Sequence, residues 1–84
     1  MVKEIKKVKK VPLDPRILAI CDKIKDLRIA AGYTNYENFA WDHRLNRSHY
    51  HKVEKGHNMT LESFLKIIDA HGLKLKDFFQ TIDL

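Results

Sequence analysis

Three features of the sequence predict an all-α chain, a compact five-helix domain preceded by a basic arm. Apolar residues recur at helical spacing in successive segments, most segments open on a side chain suited to cap a helix, and three close on glycine. No stretch alternates apolar and polar residues in the way a pair of strands requires.

The first helix starts at Asp14-Pro15, with Asp as N-cap and Pro at the first helical position, where its missing N–H is no loss. Ile17, Leu18, Cys21, Ile24, Leu27 and Ala31 then follow helical spacing until Gly32 stops the segment. A second helix runs from Asn35, whose side chain can cap it, to about His43, and a third from Asn46 to about Lys55, ending at Gly56. Thr60 caps the fourth, whose expected buried face is Leu61, Phe64, Leu65 and Ile68, with His71 a further candidate before Gly72. A short fifth helix over Leu75–Gln80, weakly capped by Lys74, is expected to plug the core with Phe78 and Phe79. Residues 1–13 are the basic arm, and residues 14–84 the folded domain. In the arm Val2, Ile5, Val8 and Val11 stand three apart among lysines, a spacing that suits neither a clean strand nor a long helix, and Pro12 closes it.

The stretch from Asn35 to Gly56 carries the functional signal. Ala40 is small where two helices must cross closely, Leu45 is apolar in the turn, and Tyr50 and Val53 are the only apolar residues on the third helix. That leaves Arg47, Ser48, His49, His51 and Lys52 pointing outward. A helix with one thin apolar stripe and a row of cationic and hydrogen-bonding side chains suits the DNA major groove. Taken in isolation, the same residues also fit a solvated charged face.

Charge follows the same division. The formal net charge is +5. Residues 1–13 hold Lys3, Lys6, Lys7, Lys9 and Lys10 against Glu4, and residues 41–58 hold Arg44, Arg47, Lys52 and Lys55 against Asp42 and Glu54, with His43, His49, His51 and His57 added. Residues 59–84 carry three lysines and four acids, a local −1. Basicity concentrated on an arm and on a reading helix is the pattern of a nucleic-acid binder.

With its flanks, the stretch resembles the helix-turn-helix of the phage repressor/Cro (XRE-like) family. The residues that carry the resemblance are Phe39-Ala40, Leu45, Tyr50 and Val53-Glu54-Lys55-Gly56. Before them stand Ile24, Leu27, Arg28 and Ala31-Gly32-Tyr33-Thr34, and after them Thr60-Leu61, Leu65, Ile67-Ile68, Gly72, Leu75 and Phe78-Phe79. The match covers roughly residues 17–80. Arg44 departs from the family, which often carries Gly in that turn, and is strained if the turn needs a positive φ. The resemblance implies a lambda-repressor-like fold and base contacts from Arg47, Ser48 and Lys52, with His51 beside them. Arg47 is the foremost of these, because a guanidinium can bond guanine O6 and N7 together. It implies DNA-backbone contacts from Tyr36, Arg44, His49, Lys55, His57 and Asn58, with the start of the second helix offering N–H groups to a phosphate. Tyr36 as a core aromatic stays open. Arg28 and Glu54 are implied to form a structural ion pair that orients the reading helix.

Several classes of function lack support. There is no Gly-rich phosphate loop, no nucleophile motif and no acid pair in an evident pocket, so no enzyme and no cofactor are expected. One cysteine excludes an internal disulfide, and Cys21 reads as a small buried hydrophobe. His49 and His51 stand two apart on a helix and face away from each other, so no metal site is expected. No apolar run approaches the ~18 residues of a membrane span, and a soluble cytoplasmic protein, nucleoid-associated through DNA, is the expectation. Trp41, next to the crossing Ala40, is expected in the core or partly covered; an exposed Trp there would point to a protein contact. The function this supports is sequence-specific double-stranded DNA binding as a homodimer on a two-fold operator. The alternative is a helix-turn-helix antitoxin or adaptor whose main partner is a protein.

Overall fold

Each expected helix forms, and four of the five begin on a side-chain cap. The computed structural model describes residues 13–84, so the basic arm, apart from Leu13, lies outside the described residues. The helices are α1 (Pro15–Ala30), α2 (Tyr36–Asp42), α3 (Arg47–Glu54), α4 (Leu61–Ala70) and α5 (Leu75–Gln80). Asp14 accepts from the Arg16 N–H, Asn35 from the Glu37 and Asn38 N–H groups, Asn46 from His49 and Thr60 from Ser63. Each cap satisfies a donor that the first turn leaves without an intrahelical partner. Lys74 gives α5 no side-chain cap.

The ends of α1 to α4 share one device. The N–H of Tyr33, Leu45, His57 and Leu73 returns to the carbonyl of Arg28, Ala40, Lys52 and Ile68, at 3.2, 2.8, 3.0 and 3.2 Å. The residue before each has positive φ: Gly32, Arg44, Gly56 and Gly72. This closure satisfies carbonyls the helix end would orphan, and only glycine adopts it freely. At Gly56 the positive φ makes the requirement, and a Cβ added there would also press on Leu18 Cδ2 at 3.2 Å. Arg44, at φ 58°, carries the strain expected of a side chain in that conformation.

The core is built where these elements converge. Cys21 and Ile24 of α1, Phe39 and Ala40 of α2, Tyr50 and Val53 of α3, Phe64, Ile67 and Ile68 of α4, and Phe78 of α5 are all buried. Phe39 is the hub: its ring packs on Tyr33, His43, Tyr50 and His71, with centroids 4.5 to 5.2 Å away. Burying one such side chain contributes about 1.5–3 kcal/mol. Tyr33 also donates from its hydroxyl to Asp42 at 2.7 Å, tying the α1–α2 connection to the end of α2.

Three expectations about packing are corrected. Trp41 is 78% exposed, because the inner face of this short helix is Tyr36, Phe39, Ala40 and His43, and residue 41 falls off that stripe. On α4 the buried face is Phe64, Ile67 and Ile68, while Leu61 and Leu65 are exposed. The apolar stripe of α4 is wider than the core can cover, and the core selects its Ile67 side. On α1, for which the spacing set no buried face, Leu18 is exposed at 40% and Ala31 is also outside, while Arg28 is inside as a partner in the expected ion pair. Phe78 is fully buried, but Phe79 keeps 40% of its surface exposed and covers only the edge of Phe64 and Phe78.

Candidate nucleic-acid interface

The position of α3 is set from beneath by an ion pair. Arg28 donates from Nε and Nη2 to the two carboxylate oxygens of Glu54, at 3.0 and 2.8 Å, and from Nη1 to the Tyr33 carbonyl at 2.8 Å. Both side chains are almost wholly buried. The guanidinium thus fastens the last turn of α3 and the exit of α1 together through a bidentate, charge-assisted contact. Burial works against ionisation of Glu54, but the Arg28 hydrogen bonds and charge overcome it and hold the carboxyl below its ordinary pKa. Beside the pair the Tyr50 hydroxyl is buried with no well-formed hydrogen bond among the described residues, and burial first, then the neighbouring Glu54 carboxylate, push its pKa up.

The outer face of α3 carries no buried ion pair of this kind among the described residues. Arg47, Ser48 and Lys52 are exposed, and His49 and His51 half-buried. Two grooves flank this ridge. One is lined by Tyr36, Glu37, Arg47, Ser48, His51 and Lys52. The other lies between α3 and α4 and includes Arg44, Ser48, His49, Lys52 and Lys66. Ser48 and Lys52 belong to both grooves and form the crest between them. All four residues singled out for base contact, Arg47, Ser48, His51 and Lys52, therefore stand together with Tyr36 at the first groove. Arg44 and His49 stand together at the second.

The remaining candidates are placed elsewhere. Lys55, His57 and Asn58 follow α3 at its far end and are exposed. Asn58 turns its Oδ1 to the Met59 N–H at 2.9 Å and lines an apolar groove with Ile17, Ile20 and Leu61. His57 presents its carbonyl to the Cys21 thiol at 3.6 Å. At the start of α2, the Glu37 and Asn38 N–H groups that could have met a phosphate are already taken by Asn35, at 2.6 and 3.1 Å. Tyr36 is half-buried with its ring stacked on His51, centroids 4.2 Å apart and planes 25° off parallel. This contact links the N-terminus of α2 to the middle of α3, and it combines both readings of Tyr36, partly packed yet at the groove.

Two groups were missed from sequence. Lys66, on α4, brings a further cation to the second groove. Glu37 reaches Arg47 with Oε2 3.6 Å from Nη1. An acid in the first turn of a helix reads as a partner for the helix dipole, and nothing in local spacing reveals a contact ten positions away.

Among the described residues, no helix is long and apolar enough to cross a membrane. No family model matches the chain, and no curated protein matches it significantly. Among solved structures, the wild-type restriction-modification controller protein C.Esp1396I superposes with a TM-score of 0.68 at 23% identity, over 77% of this chain and 84% of that one. A threonine-to-alanine mutant of the same controller gives 0.66 at 25% identity, over 76% and 85%. The five-helix fold implied by the repressor/Cro-type resemblance is the fold this chain adopts, and it shares that fold with the controller protein C.Esp1396I.

Proposed function

We propose that this chain is a sequence-specific double-stranded DNA-binding regulator that acts as a homodimer on a two-fold operator. The observation that carries the proposal is the ridge of α3: Arg47, Ser48 and Lys52 exposed on its outer side, His51 beside them, and the helix held from beneath by the Arg28–Glu54 pair. A rigid helix with donors on one side can enter the major groove and bring Arg47 to a guanine edge, while Arg44, Lys55 and Lys66 serve phosphates. The likeness in fold to C.Esp1396I, a restriction-modification controller protein, supports a regulatory role.

Dimerisation follows from size. α3 has 8 residues and is about 12 Å long, enough to follow only about four base pairs of major groove. Useful specificity needs a second reading helix, placed by two-fold symmetry about one helical turn away. An apolar groove of about 220 Å³ lined by Ile17, Ile20, Met59, Leu61, Phe64 and Phe79 supplies the surface for a second copy. It is built from α1, α4, α5 and the loop before α4, so pairing on it leaves both α3 ridges open.

The test is to incubate the protein with sheared genomic DNA at near-physiological salt and sequence what is retained. A short two-fold motif supports the proposal. Random fragments that are lost as salt rises would contradict it.

One observation favours a second reading, an adaptor or antitoxin whose main partner is a protein. Trp41 is 78% exposed beside Arg44 and Arg47, and a large aromatic in that setting is a common anchor for protein contacts. A second protein recovered in stoichiometric amount from native extract, and lost in Trp41→Ala, would favour it.

A further inference from the structure

Among the described residues, the face that carries Arg47, Ser48, His51 and Lys52 contains one acid. Glu37, the second residue of α2, lines the same groove, and its carboxylate is paired with the Arg47 guanidinium at 3.6 Å. The Glu37 and Arg47 side chains are 48% and 63% exposed, so the pair sits in water and can open. The backbone beneath Glu37 is fixed, since its N–H is held by the Asn35 cap at 2.6 Å. An unpaired carboxylate on a surface meant for a polyanion repels the DNA backbone, and its presence there needs a reason.

We propose that Glu37 is a specificity-determining positioning residue, which holds Arg47 for a guanine edge and opposes its use on phosphates. The proposal rests on α3 being the reading helix. An arginine has five N–H donors, of which a guanine edge takes two. Arg47 can therefore meet O6 and N7 while a remaining N–H stays on Glu37. On a non-matching sequence the guanidinium has no such edge and turns to the nearest phosphate. That move breaks the pair and leaves the Glu37 carboxylate unpaired beside the DNA backbone. Random sequence is thus penalised and the matched site is not, which is how a repulsive element sharpens discrimination. Among the described residues no acid pairs with Lys52 in the same groove, so it gains no such bias.

The experiment compares wild type, Glu37→Gln, Arg47→Ala and the double variant. Two duplexes of equal length are used: one selected by the wild type from a randomised pool, the other of random sequence. Glu37→Gln keeps shape and capping while removing the charge. It is expected to raise affinity for random DNA by roughly two- to fivefold, the worth of an exposed ion pair. It is also expected to steepen the log–log salt slope on random DNA by about 0.9, one added phosphate contact. Affinity for the selected duplex stays level, so the ratio of the two falls by that same factor. In the Arg47→Ala background, Glu37→Gln changes both duplexes alike. Equal gains on the two duplexes with Arg47 present would overturn the proposal, because Glu37 would then be a plain repulsive charge, and so would no change on either. If the wild type selects no sequence at all, the reading of α3 fails first and this proposal falls with it.

Discussion

Glu54 closes α3 with both carboxylate oxygens on the Arg28 guanidinium of α1, at 2.8 and 3.0 Å, in surroundings that exclude water from both side chains. An exposed pair of the same geometry would contribute under about 1 kcal/mol. Here the loss of one partner strands the other charge in the interior. Glu54→Ala or Arg28→Ala is therefore expected to destabilise the fold by about 3–5 kcal/mol. Denaturant or thermal melts measure it, and Glu54→Gln, which keeps an acceptor for Arg28, loses less. Under the proposed function, α3 should keep its base preference at temperatures where the variant is still folded.

The same pair sets an acid limit. The folded pKa of Glu54 lies below its ordinary value of 4.5. Its stabilisation is complete above that ordinary value, where the unfolded carboxyl is also ionised, and is lost as pH falls through the folded value. Acid titration of the melting temperature should show this loss in the wild type and a smaller one in Glu54→Gln.

His71 gives a window nearer neutrality. It is stacked on Phe39 with ring centroids 4.8 Å apart, and its Nε2 is buried without a partner among the described residues. Burial, and then the charge of His43, lower its pKa below the ordinary 6.5. Between the folded and ordinary values the unfolded chain binds the proton first, so stability is full above about 6.5 and falls as pH drops below it. His71→Phe, which keeps the stack without a proton site, should flatten the melting temperature between pH 7 and pH 5, values chosen as about half a unit above and 1.5 below the ordinary pKa. An unchanged pH profile would rule His71 out as the cause.

Arg44 sets stability against binding. Its φ of 58° costs about 1–2 kcal/mol for a side chain, partly returned because glycine is freer when unfolded. Arg44→Gly should gain about 0.5–1 kcal/mol in a denaturant melt, and at the same time bind every DNA sequence more weakly. A loss of stability would mean that Arg44 makes compensating contacts of its own.

The apolar groove of α1, α4 and α5 is tested by charge. Leu61 is 79% exposed, so Leu61→Arg leaves the monomer core intact. Sedimentation should show a dimer for the wild type and a monomer for the variant at micromolar concentration. A variant that stays dimeric would place the dimer contact elsewhere.

Much of the fold was legible because its signals are local. Asp14-Pro15, Asn35, Asn46 and Thr60 open helices, and Gly32, Gly56 and Gly72 close them, through hydrogen bonds that span a few residues. The Arg28–Glu54 pair was legible through the family resemblance, and the structure adds its depth of burial. What the sequence misjudged depends on which of several apolar residues the rest of the molecule covers. Leu61, Phe64, Leu65, Ile67 and Ile68 all look alike to a periodicity argument, and only the packing of α4 decides that Ile67 is inside and Leu61 outside. Trp41 was misjudged for a related reason: large aromatic area argues for burial, but residue 41 stands off the inner stripe of a helix only 7 residues long. Glu37 and Lys66 were invisible because their relation to α3 exists only after α2 and α4 dock.

The most direct test of the reading helix is a base-preference profile for wild type, Arg47→Ala and Lys55→Ala, measured by selection from a randomised duplex pool and by binding at several salt concentrations. Arg47→Ala should relax preference at one base pair in each half-site, a loss of about 1–3 kcal/mol of discrimination there. Lys55→Ala should keep the motif, weaken every sequence alike and reduce the salt slope by about one. If the two variants gave the same profile on selected and random DNA, α3 would bind by charge without reading sequence.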